Sequence, residues 1–272
     1  MSDTLSFRIL GCGSSGGVPR LSDKPGGNWG NCDPTNPRNR RTRCSLLVTR
    51  TGPNGQTRVL IDTTPDMRQQ LLDADVGTLD AVVFTHAHAD HIHGIDDLRM
   101  IVFNMRARLP VYADQPTQDA IIERFSYAFV QPEGSSYPPI CDLNLIDGPF
   151  SIDGAGGPIP FTGVIPVEHG GMHTVGFRIA DMAYIPDVAE LPDAAWPHLR
   201  DLDLWIVDAL RRDPHPTHAH LARTLDWIVR AAPRQAVLTN MHNDLDYATV
   251  AAETPDHIQP AYDGLTLTLP ID

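Results

Sequence analysis

Short apolar or alternating runs recur along the chain, separated by Gly, Pro and Asn. Leu5–Leu10, Ser45–Thr49, Arg58–Ile61, Ala81–Thr85, Val111–Ala113, Leu143–Ile146, Thr174–Ile179, Leu204–Val207 and Ala236–Leu238 read as strands, being short, apolar and bounded by turn residues. Helical periodicity is clearest over Met67–Asp73, Ile95–Phe103, Thr117–Phe129 and His218–Ala231. In the last of these Leu221, Leu225, Ile228 and Val229 line up on one face, with Thr217 as the expected N-cap and Pro233 as the stop. The order is strand-rich at first and alternates strand and helix towards the end, which predicts a layered α/β fold. Gly11–Asn39 and Gly148–Pro160 read as long loops, and long loops in compact domains tend to carry function.

Composition narrows the class. The 272 residues are 42% hydrophobic and 20% charged, ordinary for a globular enzyme and unlike a disordered or fibrous chain. No repeat or linker divides them, so a single domain over 1–272 is expected. Thirty-four acidic against 21 basic residues give a net charge of −13, which disfavours stable nucleic-acid binding. The one basic run, Arg38, Arg40, Arg41 and Arg43, reads as a phosphate anchor or, more commonly, a solvated loop. The start MSDTLSFRIL has no signal-peptide pattern, and no apolar window is long enough for a membrane span. Four irregularly spaced cysteines suggest no disulfide framework, so the expected compartment is the cytoplasm.

The histidines are not scattered. Thr85-His86-Ala87-His88-Ala89-Asp90-His91 follows the apolar run Ala81–Phe84, so a strand end delivers four potential ligands within six residues. Imidazole suits zinc, and the carboxylate widens the choice to manganese or iron. His169, Asp187 and His242 each fall at or just past a predicted strand end, where α/β sheets place their ligands.

With these residues in that order, the chain resembles the metallo-β-lactamase-fold hydrolase superfamily. The resemblance implies a four-layer αβ/βα sandwich (class α/β) and two divalent metal ions, zinc first, with manganese or iron as alternatives. It places His86, His88 and His169 on one ion, Asp90, His91 and His242 on the other, and Asp187 between them. Further segments are similar to the phosphodiesterase branch, which holds the phosphoribosyl cyclic-phosphate phosphodiesterases of the carbon–phosphorus lyase pathway. These segments are Gly11–Pro19, Asn39–Ser45, Ile61–Asp66 and Pro216–Leu221, the last of which carries a catalytic histidine in the cyclic phosphodiesterases. Two departures stand out. Trp29-Gly30-Asn31-Cys32 keeps one thiol of a structural-zinc cluster, so no third metal is expected. Asn240 occupies the place where the family's last histidine usually follows a threonine, with His242 two positions later.

Two cations about 3.5–4 Å apart can share a hydroxide and bring its pKa towards about 7. Less Asp90, Asp187 and the hydroxide, such a centre keeps about one positive charge and favours an anionic ester over a neutral lactam. The expected activity is therefore hydrolysis of a small phosphodiester, cyclic or linear, by a metal-bridging hydroxide. The catalytic residues are His218, as general acid with His215 and His220 as rivals, and Asp90. Asp62 is expected to accept an N–H from a ligand histidine. Ser14, Ser15, Gly16 and Arg41 are expected on the substrate phosphate. Gly11–Gly16 formally matches G-x-G-x-x-G, but Gly17, Pro19 and Pro25 break the helix a dinucleotide site needs. The alternatives on the same metals are an oxygenase of the pyrroloquinoline-quinone biosynthesis B type and an RNA 3′-end-processing endonuclease. The expected partner is a small phosphate ester, with no membrane; a homodimer is open.

Overall fold

In the computed structural model, which describes residues 3–131 and 133–271, the strands assemble into two mixed sheets of seven. The chain groups into two compact units that interleave along the sequence. One takes residues up to Leu10, Ser45–Pro160 and from Thr266 on; the other takes Gly11–Cys44 and Phe161–Leu265.

The first sheet has the order β14-β1-β2-β3-β4-β5-β6. Its strands are β1 (Thr4–Gly11), β2 (Ser45–Gly52), β3 (Gly55–Ile61), β4 (Ala81–Val83), β5 (Leu109–Ala113), β6 (Cys141–Leu145) and β14 (Thr266–Pro270). β3, β4, β5 and β6 run parallel, and β4 is buried at every position, so it reads as a plain apolar run. Helices α1 (Met67–Asp73), α3 (Leu98–Met105) and α4 (Gln115–Phe129) bury Leu71, Leu98, Ile101 and Ile121 in one apolar cluster with Leu60, Val82 and Val111. Asp114 caps α4 by accepting from the Thr117 N–H. The helix expected over Ile95–Phe103 is a 3₁₀ turn at Ile95–Asp97 followed by α3.

The second sheet has the order β13-β12-β11-β10-β9-β8-β7. β7 (Phe150–Ile152) and the start of β8 (Ile159–His169) fall where a loop was expected over Gly148–Pro160. β8 alternates buried and open positions regularly, but Pro160, Gly163 and Pro166 interrupt its apolar pattern. β9 (Met172–Ile179) and β10 (Met182–Ile185) continue antiparallel, then β11 (Leu204–Asp208), β12 (Gln235–Thr239) and β13 (Ile258–Pro260) run parallel to β10. Helix α5 starts at Leu221, not His218, and its N-cap is His220, not Thr217. Its buried face is Leu221, Thr224 and Ile228, whereas Val229 is 79% exposed. Thr224 displaces the expected apolar face because its hydroxyl donates to the Asp208 carbonyl at 2.6 Å. Helix α6 (Tyr247–Glu253) follows β12. The four cysteines are free and buried, and no helix among the described residues is long and apolar enough to cross a membrane.

Candidate metal centre

In the first unit, parallel pairing of β3 and β4 sets Val83 beside Ile61, so the residues just past both strand ends are neighbours. Asp62 follows β3 in a left-handed conformation (φ 65°) and donates its N–H to Val83 O. Its side chain is fully buried and meets Thr85: Oδ1 accepts the Thr85 N–H and Oδ2 the Thr85 hydroxyl, both at 2.8 Å. The Thr85 hydroxyl spends its one proton on Asp62, so at 2.9 Å from His86 Nδ1 it accepts an N–H. That fixes His86 with its lone pair on Nε2. Asp62 Oδ2 also accepts from His91 Nδ1 at 2.8 Å, which leaves His91 the same tautomer. One carboxylate thus orients two imidazoles. Burial raises the Asp62 pKa; His91 and Thr85 pull it back.

His88 caps the one-turn helix α2 (Ala89–Ile92), and its Nδ1 lies 2.9 Å from His86 Nε2. Two ring nitrogens aimed at one another fit a shared cation. Within α2, Asp90 Oδ2 lies 3.7 Å from His91 Nε2, a second pair of donors.

In the second unit, His169 ends β8 at a tight turn through Gly170 and Gly171, both with positive φ. Its Nδ1 donates to the Thr217 carbonyl at 2.6 Å, leaving Nε2 as the lone-pair nitrogen, 3.5 Å from Asp187 Oδ2. Asp187, Asp208 and Asn240 cluster at the C-terminal ends of β10, β11 and β12, the position at which parallel sheets carry their sites. Asn240 Nδ2 donates to Asp187 Oδ1 at 3.0 Å and lies 3.1 Å from His218 Nδ1.

His218 lies in coil ahead of α5 and not at the start of a helix. Its Nδ1 is 2.9 Å from Oδ2 of the fully buried Asp208, a pair in which burial drives the Asp208 carboxyl up and the half-buried His218 draws it down. Asp208 is not among the residues the sequence predicts for the site. Its signal is the one that marked Asp62, an aspartate directly after an apolar strand run. The His215 ring lies tilted, 5.4 Å from that of His218, and burial with that neighbouring charge lowers its pKa.

Several expected residues sit differently. His242 turns its Nδ1 to Asp244 at 3.5 Å, and Asn240 is the residue at Asp187. Arg41, expected on the substrate, is 2% exposed, and its guanidinium donates to the carbonyls of His242 and Leu245. It holds a loop. The basic run is not simply solvated either: Arg38 covers the Tyr247 and Tyr262 rings and Arg40 the Trp29 ring. In the opening loop Ser15 and Gly16 are exposed, while the Ser14 hydroxyl is buried with no hydrogen-bond partner among the described residues.

His86 and His88 in the first unit, and His169 and Asp187 in the second, present donor atoms of the kind that hold a metal ion, all buried except the half-buried His88. The donor chemistry, imidazole nitrogens whose lone pairs on His86 and His169 are set by a hydroxyl and a carbonyl partner, plus one carboxylate, fits a divalent cation such as zinc.

Residues 57–241 match the model of the β-lactamase superfamily domain, and the chain belongs to that family, the metallo-β-lactamase-fold hydrolases. Its fold class is the α/β sandwich of that family. Over 98% of the chain it superposes on 97% of a diphosphatase from the PhnP family, with TM-score 0.85 and 33% identity. It is 32% identical over 261 residues to an octanoyltransferase of Porphyromonas gingivalis, covering 94% of the chain but 50% of that protein. The chain thus spans about half the length of that relative. It is also 29% identical over 224 residues to coenzyme PQQ synthesis protein B of Xanthomonas axonopodis pv. citri, covering 74% of the chain and 71% of that protein.

Proposed function

We propose that the chain is a metal-dependent phosphodiesterase that hydrolyses a small phosphate ester, a cyclic phosphodiester or a diphosphate. The observation that carries this reading is the donor set in each unit, His86 with His88 and His169 with Asp187; in His86 and His169 a hydrogen bond made by Nδ1 leaves Nε2 as the lone-pair nitrogen. Bound divalent cations supply an activated water and hold phosphoryl oxygens against the charge that develops in the displacement. Likeness to a PhnP-family diphosphatase at 33% identity supports a phosphoryl substrate over a lactam.

The chain's own residues supply the rest. His218 is the general acid: Asp208 holds its Nδ1, so Nε2 is the nitrogen that gives a proton to the leaving oxygen. Asp208 keeps that imidazole in one orientation and steadies its charged form. Asp90 joins His91 as the donor pair of α2. The buried, unpartnered Ser14 hydroxyl and the backbone of Ser15 and Gly16 are the groups assigned to the substrate phosphate. Asp62 fixes the tautomers.

A role like that of coenzyme PQQ synthesis protein B is the second reading, favoured by the 29% identity to it. A substrate panel separates the two. The purified chain is assayed on bis-(p-nitrophenyl) phosphate, 2′,3′- and 3′,5′-cyclic nucleotides, a nucleoside diphosphate, an octanoyl thioester and a lactam, before and after chelation. Phosphoester turnover that chelation abolishes and zinc or manganese restores is the expected result. Oxygen consumption with iron, and no phosphoester turnover under any metal, overturns the reading.

A further inference from the structure

We infer that helix α3 docks end for end on the α3 of a second copy of this chain, and that the protein is a homodimer through that face. The face lies wholly within the first compact unit and includes none of the proposed metal donors.

α3 buries Leu98 and Ile101 in the apolar cluster of its own unit, and the opposite side of such a helix on a lone domain is ordinarily polar. Here it carries Met100 and Phe103, each 60% exposed. Neither stands alone. Phe103 lines a cleft with Tyr127 and Tyr137 on one side of the helix, and Met100 lines a second with Leu71 and Leu72 on the other. Leu72, Tyr127 and Tyr137 are themselves between 41% and 75% exposed. At about 200 Å² for a full side chain of this size, the exposed parts of these five residues come to roughly 600 Å². That reaches the upper end of the largest apolar patch on an ordinary monomer, and it is most of the ~800 Å² each partner gives to a standard interface.

The charges indicate what covers the face. Asp97 stands at the N-terminal end of α3 and Arg106 at its C-terminal end; both are exposed, and neither has an ion pair among the described residues. Asp96 already pairs with Arg99, and Asp142 with Arg108. The face is therefore acidic at one end, basic at the other and neutral in sum, within a chain of net charge −13. A second acidic copy meets no repulsion there, whereas a uniformly basic partner would be opposed at the Arg106 end. A two-fold axis through the middle of α3 reverses one helix upon the other. Each Asp97 then faces the Arg106 end of the other copy, and the Met100–Phe103 stretch faces itself, as a self-complementary interface requires. The apolar stretch supplies the affinity, and the charged ends fix the direction.

The test is sedimentation equilibrium of the full chain from sub-micromolar concentrations to about 100 µM. A species of twice the chain mass is expected. Phe103→Glu should weaken association by at least ~30-fold, because each copy loses an apolar anchor and gains a charge in the interface. Met100→Glu serves the same end if the first variant loses its native circular dichroism. Asp97→Arg sets two arginine ends together and should weaken the dimer by about 10-fold at low salt, and adding Arg106→Asp should restore it. A monomer at every concentration overturns the inference, as does a dimer indifferent to both glutamate variants. Weakening by Asp97→Arg with no recovery in the double variant overturns the end-for-end arrangement.

Discussion

Replacing Asp62 by asparagine puts the tautomer argument to a quantitative test. The carboxylate accepts three hydrogen bonds, from the Thr85 N–H, the Thr85 hydroxyl and His91 Nδ1, each at 2.8 Å. An amide of the same shape has one accepting oxygen. If its nitrogen takes the place of Oδ2, the Thr85 hydroxyl and His91 Nδ1 must both become acceptors. Thr85 then turns its proton to His86 Nδ1, and both His86 and His91 carry their remaining proton on Nε2, the nitrogen needed for metal. Loss of one such orienting group costs about 10–100-fold in metal affinity, and here two imidazoles depend on it. If the amide flips, its nitrogen confronts the fixed Thr85 N–H, at a cost of about 1–3 kcal/mol in stability. Asp62→Asn should therefore weaken zinc binding by about 100-fold, or lose about 1–3 kcal/mol, and competition titration with urea unfolding of the apo-chain reads both. Zinc affinity within threefold of the parent, together with an unchanged urea midpoint, would refute the reasoning.

Three further outcomes follow from other parts of the structure. His218→Ala and Asp208→Asn should each lower kcat by about 10²–10⁴-fold on an alkyl phosphodiester and far less on a p-nitrophenyl ester, whose leaving group needs no proton; equal losses on both esters reject the general-acid role. Burial holds the Asp263 carboxyl, bonded to Thr42 and Cys12, up at about 6 against an ordinary 3.8. Between those values the folded chain keeps a proton that the unfolded chain releases, so Asp263's contribution to stability falls by about 3 kcal/mol as pH rises from 4 to 6, then levels; Asp263→Asn should flatten that slope in urea melts. Gly170 has φ 60°, and a Cβ there would collide with Thr217, whose carbonyl holds His169 Nδ1. Gly170→Ala should cost about 1–3 kcal/mol and weaken zinc binding, and unchanged binding by titration would detach Thr217 from the centre.

The parts of this site that could be read along the chain are those in which chemistry and local pattern coincide. His86, His88, Asp90 and His91 stand together at the end of an apolar run, and Asp62 stands at the end of another. Asp208 occupies the same kind of position, but its partner His218 lies ten residues on and outside any regular element, so spacing did not link them. Arg41 looked like an anion anchor because charge is visible in sequence and burial is not. Only the carbonyls of His242 and Leu245, some 200 residues away, explain it. β8 was illegible for a backbone reason: Pro160, Gly163 and Pro166 are turn residues by habit, and the ladder to β9 absorbs them with an irregularity between Phe161 and Gly163. The asparagine at 240 was visible as a departure, but its meaning depended on the hydrogen bond to Asp187.

The central claim is that His86, His88, His169 and Asp187 hold a catalytic cation. It is tested most directly by diffraction from zinc-loaded crystals on either side of the zinc absorption edge. The account predicts an anomalous peak ligated by His86 Nε2, His88 Nδ1, His169 Nε2 and an oxygen of Asp187. A zinc-loaded crystal with no peak at those four side chains, or with its zinc on other residues, contradicts it.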